Sequence, residues 1–458
     1  MVRYGVDINN LVFAATDLRL TNEHIIRIQG LAPETAYFYS VGSAHQTFAQ
    51  SPDYQFITAP ILGKARSTRV WVIGDSGGMS LGYTNVLNVR DAYAHYAWRR
   101  QTDCWLVLGD NAYDLGTDDQ YQKAFFNVFS RLLQQVAPWP TIGNHETYAV
   151  PPGQRFPYLD IFSFPTNGEA GGIPSGTEDF YAFDYANIHF ICLDSETENR
   201  ATNGLMATWL RADLAATTNQ WLIAFWHAPP YSKGSHDSDA VYEVAINEMR
   251  QNIVPILEAG GVDLVLNGHS HNYERSYLLH GHYGYSTNLT QDMILDFGSG
   301  RENDTGAYIK PTSGPYANQG TVYVVAGNGS VGEPRFGHHP AMFTDDRELG
   351  SLVLEVNSNR LDLAFLSDTG TIQDAFTMVK GDPEPLRICT FNFQDGHAIV
   401  RWKSLRGHSY RVESTESLQL PFWLPVTDTL VASGATTSWT NNTVGAPARF
   451  YRVTQLGP

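Results

Sequence analysis

Five short apolar segments in this sequence each run directly into a residue that can bind a metal ion. The five segments are Val70–Asp75, Trp105–Asp110, Pro140–Glu146, Leu222–His227 and Val262–His271. Uninterrupted apolar runs are typical of strands covered on both faces, and open α/β sheets place ligands just beyond the carboxyl ends of such strands. We therefore expect the five strand ends to meet at one crevice.

Glycine precedes the first candidate ligand in four of these five segments, at Gly74, Gly109, Gly143 and Gly268. Glycine at such positions indicates a sharp bend or a close approach of the backbone to another group. In the last segment His269 and His271 are separated by one residue, so both imidazoles can leave the loop toward one point. A lone His-x-His is more often two surface histidines, but four matching segments favour a metal-binding loop.

Length and charge limit the classes of function. A chain of 458 residues predicts two or three domains, and its net charge of -17 argues against nucleic acid or an anionic membrane as the main partner. A phosphate site in such an acidic protein needs a local source of positive charge, for which bound metal is the simplest candidate. The sequence shows neither a membrane span nor a signal peptide, and its three cysteines form no disulfide framework.

The N-terminal part, residues 1–62, alternates in the manner of an antiparallel sheet, with predicted strands at His24–Ile28, Ala36–Val41 and Tyr54–Ile57. Residues 30–39 resemble the corner of a fibronectin type III sandwich that is tied by a tyrosine. About two strands of such a sandwich are missing before Val2, so we expect a partial domain, incomplete by nature or through a truncated reading frame. A second copy of the chain could complete it, which would make the protein a homodimer.

The pattern of residues 63–382 predicts strands that alternate with helices. In residues 383–458 apolar and polar residues alternate again, which predicts strands alone. In the first of these regions one helix is predicted to begin at Asp118 and another to stop at Gly260. The Gly/Pro-rich segment 148–177 is either a substrate-gating loop or an inert one. The last region predicts a small all-β module without a ligand cluster, for carbohydrate or surface attachment or for stability alone.

The five ligand-bearing segments, taken in order, resemble the five blocks of the calcineurin-like metallophosphoesterases, and more narrowly the purple acid phosphatase branch. Generic members bind metal through a histidine two residues after the first aspartate, where this chain has Gly77. The purple branch uses a tyrosine three residues after the second aspartate, which is Tyr113 here. The resemblance covers about residues 1–380 and implies an α/β sandwich catalytic domain, a mixed β core flanked by helices, between the two β regions.

The resemblance also implies a set of seven metal ligands. One metal would be bound by Asp75, Tyr113 and His271, the other by Asn144, His227 and His269, and Asp110 would bridge the two. A phenolate with carboxylates suits Fe(III), whereas an amide with two imidazoles suits Zn, Mn or Fe(II). With one trivalent and one divalent ion the cluster is left positive, which attracts phosphate.

The same resemblance assigns two further histidines, and three other residues are assigned from their positions near the ligand loops. His145 and His236 match outer-sphere histidines that orient phosphate and protonate the leaving group, while Glu146 and Arg275 are expected to orient the ligand loops. Lys233 is a candidate phosphate contact. The plant-type pattern places a second histidine directly after the position of His236, where this chain has Asp237, and an anion there would disfavour polyanionic substrates.

The function implied is a dinuclear-metal phosphatase that cleaves small phosphate monoesters by in-line attack of a metal-bound hydroxide. One alternative is a phosphodiesterase or nucleotide pyrophosphatase on the same two metals. Another is an extracellular binding protein whose site is vestigial, although all seven ligand positions hold residues able to bind metal. The resemblance implies a secreted or periplasmic protein.

Overall fold

The computed structural model describes all of the chain except residues 22, 99, 152, 382–385, 387, 395, 405–407, 420–422, 434–435, 443–448 and 458. Its N-terminal part forms one antiparallel sheet. The strands are β1 Val2–Gly5, β2 Phe13–Ala15, β3 Ala36–Gly42, β4 Thr47–Ala49 and β5 Gln55–Ile57. The strands predicted at Ala36–Val41 and Tyr54–Ile57 are confirmed by β3 and β5.

The strand predicted at His24–Ile28 is wrong, because this segment has no regular structure. Its alternating apolar residues are not buried, and Ile25 is 63% exposed. A strand needs a neighbour that accepts and donates backbone hydrogen bonds, and none of the described strands pairs with this segment. The alternation of residue types therefore did not produce a strand here.

The central region contains two seven-stranded sheets and one small two-stranded sheet. Its strands are β6 Thr68–Ile73, β7 Cys104–Val107, β8 Pro138–Pro140, β9 Tyr181–Tyr185, β10 Ile188–Cys192, β11 Trp221–Trp226, β12 Leu264–Asn267, β13 Tyr273–Ser276, β14 Leu278–Leu279, β15 Ile294–Asp296, β16 Tyr308–Lys310, β17 Val322–Ala326, β18 Met342–Asp346, β19 Gly350–Asn357, β20 Arg360–Ser367 and β21 Ile372–Lys380. One sheet has the order β16-β21-β20-β19-β6-β7-β8 and the other β18-β13-β17-β12-β11-β10-β9. Both mix parallel and antiparallel pairs.

Helices lie outside this pair of sheets. The α-helices are α1 Asn85–Ala97, α2 Asp118–Tyr121, α3 Ser130–Leu133, α4 Pro157–Ile161, α5 Leu205–Ala216, α6 Val244–Glu248 and α7 Val254–Ala259. A π-helical turn extends α2 through Phe126, and another joins α6 to α7. The helices predicted to begin at Asp118 and to stop at Gly260 are confirmed. No helix in the described part of the chain is long and apolar enough to cross a membrane.

Two apolar clusters hold the central region together. One includes residues of both seven-stranded sheets, such as Trp105 of β7 and Phe190 of β10, together with residues of α1. The other packs α5 and α7 against β11 and β12, for example through Leu210 and Val265. The predicted mixed β core flanked by helices is confirmed, and the buried strands hold their carboxyl ends in fixed positions.

The described residues after 387 form antiparallel strands around a smaller core. These are β22 Ile388–Gln394, β23 His397–Lys403, β24 Ser409–Thr415, β25 Leu424–Pro425, β26 Leu430–Val431, β27 Thr436–Asn442 and β28 Phe450–Gly457. Val400, Trp402, Tyr410 and Val412 form most of the buried cluster. The predicted domain boundary at 382–383 lies outside the described residues.

Candidate metal centre

The ends of five strands lie together at one edge of the two sheets. β6, β7 and β8 are parallel neighbours in one sheet and lead to Asp75, Asp110 and Asn144. β11 and β12 are parallel neighbours in the other sheet and lead to His227 and His269. The two groups of loops touch, since the backbone N–H of His269 donates to Oδ2 of Asp75 at 2.9 Å.

The glycines before the ligands permit these close approaches. A Cβ at Gly109, which has φ of 87°, would lie 2.6 Å from Nδ1 of His227. A Cβ at Gly143 would collide with the carboxylate of Asp110. A side chain at either position would therefore push apart residues that the site brings together.

Three of the candidate ligands have left-handed backbone conformations. The φ values are 54° at Asp75, 52° at Asp110 and 67° at His269. Such conformations cost non-glycine residues about 1–3 kcal/mol each and persist only where the surrounding structure imposes them. The ligand loops are therefore held in shape by their neighbours.

Asp75, Tyr113 and His271 form a first group of converging donor atoms. The hydroxyl of Tyr113 lies 3.2 Å from Oδ1 of Asp75 and 3.1 Å from Nε2 of His271. Nε2 of His271 lies 3.3 Å from the same oxygen of Asp75. The three atoms thus form a nearly equilateral triangle.

Asn144, His227 and His269 form a second triangle. Oδ1 of Asn144 lies 3.0 Å from both Nε2 of His227 and Nδ1 of His269, and the two ring nitrogens are 3.2 Å apart. Nδ1 of His227 donates to the carbonyl of Leu108 at 2.7 Å, so Nε2 of the neutral ring carries a lone pair. That lone pair faces an amide oxygen, which also accepts, and a cation between them would satisfy both.

Asp110 lies between the two triangles. Its Oδ1 is 3.4 Å from Nε2 of His227 in the second triangle. Asp75, Asp110 and His271 also offer ligand atoms that all lie within 4.8 Å of one another. One carboxylate can therefore reach both groups, as a bridging ligand must.

The donor set fits two metal ions. Two donors at right angles, each about 2.1 Å from an ion, are about 3.0 Å apart, close to the spacings within both triangles. Burial and the carboxylates of Asp75 and Asp110 raise the pKa of Tyr113 well above its usual value, so a phenolate there needs a nearby cation. Although burial favours the neutral ring, Asp75 and Glu333 raise the pKa of His271 to about 10. The site therefore attracts positive charge.

A family model described as calcineurin-like phosphoesterase matches residues 68–273, which contain all seven candidate ligands. The chain carries a calcineurin-like phosphoesterase domain. Purple acid phosphatase 15 of Arabidopsis thaliana is 29% identical over 304 residues, covering 60% of this chain and 53% of that protein. Purple acid phosphatase 23 of the same plant is 28% identical over 306 residues, covering 60% and 62%. The predicted resemblance to the purple branch is confirmed, although the chain spans little more than half the length of these relatives.

Solved structures share the fold of the phosphoesterase domain. A purple acid phosphatase, PPD1, from yellow lupin (Lupinus luteus) superposes with a TM-score of 0.62 at 19% identity, over 77% of this chain and 61% of that one. The structure of PhoD superposes with a TM-score of 0.53 at 13% identity, over 95% of this chain and 86% of that one. At these identities the similarity concerns the fold alone.

Glu146 connects two of the ligand loops of the phosphoesterase domain. Its buried carboxylate accepts the backbone N–H groups of Asp110 and Asn111 at 2.8 Å and of Gly143 at 2.7 Å. The hydroxyl of Tyr121 donates to the same carboxylate at 3.1 Å. These contacts tie the two ligand loops to each other, and the orienting role of Glu146 stays a prediction.

Arg275 is placed differently from the expectation. Its guanidinium binds Asp374 of β21, with Nε 2.5 Å from Oδ2. It makes none of the contacts described above for the seven candidate ligands. Arg275 itself lies in β13, so the ion pair joins the two large sheets. Among the described contacts Arg275 braces the sheets and does not orient a ligand loop.

The two predicted outer-sphere histidines lie on different sides of the centre. His145 is beside Tyr113, donates from Nδ1 to the carbonyl of Asp114 at 2.6 Å and has Nε2 3.9 Å from Oδ2 of Asp110. His236 stacks on His269 at 3.8 Å between ring centroids. Both rings are partly exposed, so a substrate can reach them.

Two acidic residues at the centre were missed by sequence reasoning. Oε1 of Glu243 lies 2.8 Å from Nδ1 of His236, and Oε2 lies 4.0 Å from Nε2 of His269. Glu333 lies 3.2 Å from Nδ1 of His271. Neither glutamate belongs to a ligand-bearing segment, and only the tertiary fold brings them to the site.

Aromatic residues in the middle of the Gly/Pro-rich segment 148–177 pack against the core. Phe156, Tyr158 and Phe164 are buried, and Tyr158 donates to the carbonyl of Pro140 at 2.8 Å. Tyr148, at the start of the segment, is 52% exposed and accepts from Nδ2 of Asn144 at 2.9 Å. Only this first part of the segment reaches the metal centre through the contacts described.

Proposed function

We propose that this protein is a dinuclear-metal phosphatase that hydrolyses phosphate monoesters. The observation that carries the proposal is the pair of donor triangles with Asp110 between them. Each triangle offers three donors with spacings suited to one ion. The similarity to purple acid phosphatases supports the same activity.

We propose Fe(III) for the triangle of Asp75, Tyr113 and His271, and Zn, Mn or Fe(II) for that of Asn144, His227 and His269. The first donor set contains a carboxylate and a phenol, which favour a hard trivalent ion, and the second contains only neutral donors. Bound by these residues, the two ions would supply positive charge for the phosphoryl oxygens and would lower the pKa of a water that serves as nucleophile.

The chain itself supplies the groups on the leaving-group side. Glu243 binds Nδ1 of His236, and the carbonyl of Asp114 binds Nδ1 of His145, which leaves Nε2 of each ring available to substrate. In this proposal one Nε2 holds a proton for the departing oxygen and the other orients the phosphoryl group. The partly exposed positions of both rings are consistent with these roles.

The test of the metal assignment is the visible absorption spectrum of the purified protein, with metal analysis of the same sample. We expect a tyrosinate-to-iron charge-transfer band and about one iron per chain, with the band absent from Tyr113→Phe. Tyr316→Phe is the matched control, because Tyr316 is 52% exposed and outside the site. A colourless protein holding two divalent ions would overturn the Fe(III) assignment.

The test of the reaction compares aryl phosphate monoesters with diesters. We expect the monoester to be turned over with the higher kcat/KM. Turnover of the diester alone would instead support a phosphodiesterase or nucleotide pyrophosphatase, and no turnover by a protein with both metals bound would support a binding role.

We also propose that residues 1–62 are a partial fibronectin III-like domain, that residues 383–458 are a β-sandwich module, and that the protein is secreted or periplasmic. At the predicted corner the hydroxyl of Tyr37 accepts the backbone N–H of Ala32 at 3.0 Å, as a tying tyrosine would. Cell fractionation tests the location. Light scattering tests whether a second copy completes the N-terminal sheet.

A further inference from the structure

The loop that carries His236 also contains Lys233, whose ammonium group forms ion pairs with two carboxylates. Nζ of Lys233 lies 2.5 Å from Oδ1 of Asp237 and 3.0 Å from Oδ2 of Asp239. All three side chains are less than a quarter exposed. One ammonium paired with two carboxylates leaves this part of the loop with a net negative charge.

The loop is held in this arrangement by the backbone and by neighbouring segments. The backbones of Lys233 and Asp237 form a β-bridge, and the N–H of Asp239 donates to Oδ1 of Asp237 at 2.9 Å. The N–H of Lys233 donates to Glu274 at 3.0 Å. These contacts fix the backbone of the loop, and the two ion pairs restrain the Lys233 side chain from reaching a second phosphate of a substrate.

Among the described residues, three further carboxylates lie beside the centre. Glu243 contacts His236, Glu333 contacts His271 and Asp114 contacts His145. Such carboxylates repel an additional phosphate, and the repulsion is not fully screened in a partly buried site. Attraction of an anion to this site therefore depends mainly on the two metal ions that it would bind, together with His145 and His236.

One exposed aromatic side chain contacts the centre, and a second belongs to a segment whose backbone is bonded to the His236 loop. Tyr148 accepts from Asn144, as described above. On the other side the backbone N–H of Phe336 donates to the carbonyl of Gly234, two residues before His236, and the Phe336 side chain is 64% exposed. Exposed aromatic groups beside a reactive centre offer contact area to an aromatic or apolar leaving group.

We propose that Asp237 makes the site selective for phosphate monoesters with an aromatic or apolar leaving group, and against substrates that carry a further phosphate. Asp237 does so by pairing with Lys233 and by adding a negative charge beside His236. The proposal rests on the phosphatase function proposed above and names the substrate class of the same site.

The test compares Asp237→Asn with the wild type, using 4-nitrophenyl phosphate and inorganic pyrophosphate as substrates of the metal-loaded protein. We expect the ratio of kcat/KM for pyrophosphate to that for 4-nitrophenyl phosphate to rise about tenfold, because a repulsive charge is removed and Lys233 keeps only its pairing with Asp239. Lys233→Met combined with Asp237→Asn should lose most of the gain. Asp119→Asn is the matched control, since Asp119 pairs with Lys123 at the same spacing on an exposed helix.

Calorimetric binding of pyrophosphate and of orthophosphate gives a second readout that needs no turnover. Asp237→Asn should bind pyrophosphate about tenfold more tightly relative to orthophosphate. An unchanged ratio in both assays, or a wild type that prefers pyrophosphate, would overturn the role of Asp237 while leaving the phosphatase intact. If aryl monoesters are not turned over at all but the binding ratio still shifts, the proposed function fails and the selectivity of Asp237 stands.

Discussion

The structure contains two buried clusters of histidine and carboxylate that differ in what completes them. In the first, both ring nitrogens of His189 face carboxylates, with Nδ1 2.6 Å from Asp184 and Nε2 2.7 Å from Asp213. A protonated ring donates to both and leaves no polar atom unpaired. In the candidate metal centre, Nε2 of His227 faces a carboxylate oxygen of Asp110 at 3.4 Å, but also the amide oxygen of Asn144 and a nitrogen of His269.

One added proton satisfies the hydrogen-bonding groups of the His189 cluster but not those of the candidate metal centre. A proton on Nε2 of His227 can be donated well to only one of the acceptors around it, whereas a metal ion accepts electron pairs from all three groups at once. Identical residue types can therefore make a structural ion pair or a metal site. The partners of the ring nitrogens decide between the two.

The largest effect should come from His227→Ala. Removing one donor of the second triangle should cost about 10³-fold or more in kcat, because the divalent ion is lost and catalysis depends on both ions. Metal analysis should show one ion lost, while the charge-transfer band of the Tyr113 side remains. His95→Ala is the control, since His95 is exposed on α1. Retained activity in His227→Ala would mean that the catalytic site is elsewhere.

The sequence predicted the convergence of the seven candidate ligands because each of them follows a local pattern. An apolar strand, a glycine and a ligand are neighbours in the chain, and parallel strands bring their ends together without further information. The missing histidine at Gly77 and the presence of Tyr113 were also local features. Glu146 was predicted for the same reason, since it lies next to the ligand loop that it supports.

Features that depend on distant segments were predicted less well. Glu243 and Glu333 approach the histidines from a helix start and from the loop after β17, and no spacing in the sequence marks them. Arg275 follows the His-x-His loop directly, yet its partner Asp374 lies in the other sheet. The segment His24–Ile28 alternates like a strand but lacks a paired neighbour. In each case the partner, which the local pattern cannot reveal, decides the outcome.

The second largest effect should come from Asp213→Asn in the His189 cluster. Removing one carboxylate from a buried ion pair should lower the free energy of unfolding by about 3 kcal/mol. Asp213 also accepts the backbone N–H of Ile173 at 2.9 Å, so the segment before β9 should loosen as well. Urea unfolding measures the loss, with Asp119→Asn as control. Metal content should not change, and loss of metal in this variant would mean that the two clusters are coupled.

The smallest effect is the pH dependence of the His189 cluster. Burial opposes charge on this ring, but hydrogen bonds to Asp184 and Asp213 outweigh it and raise the pKa of His189 from 6.5 to about 9. The folded state thus holds the proton more tightly than the unfolded state. The resulting stability is fully present below about pH 6.5 and is lost as the pH rises through 9.

A shift of this size corresponds to about 3 kcal/mol. The contribution of His189 to stability can be isolated by comparing urea unfolding of the wild type and of His189→Gln at pH 6, 8 and 10. The pH dependence of the metal centre is common to both proteins and cancels in the comparison. We expect the difference in unfolding free energy to shrink between pH 6 and pH 10. Parallel curves would mean that His189 does not titrate between its carboxylates. The distinction between a cluster completed by a proton and one completed by metal would then lose its basis.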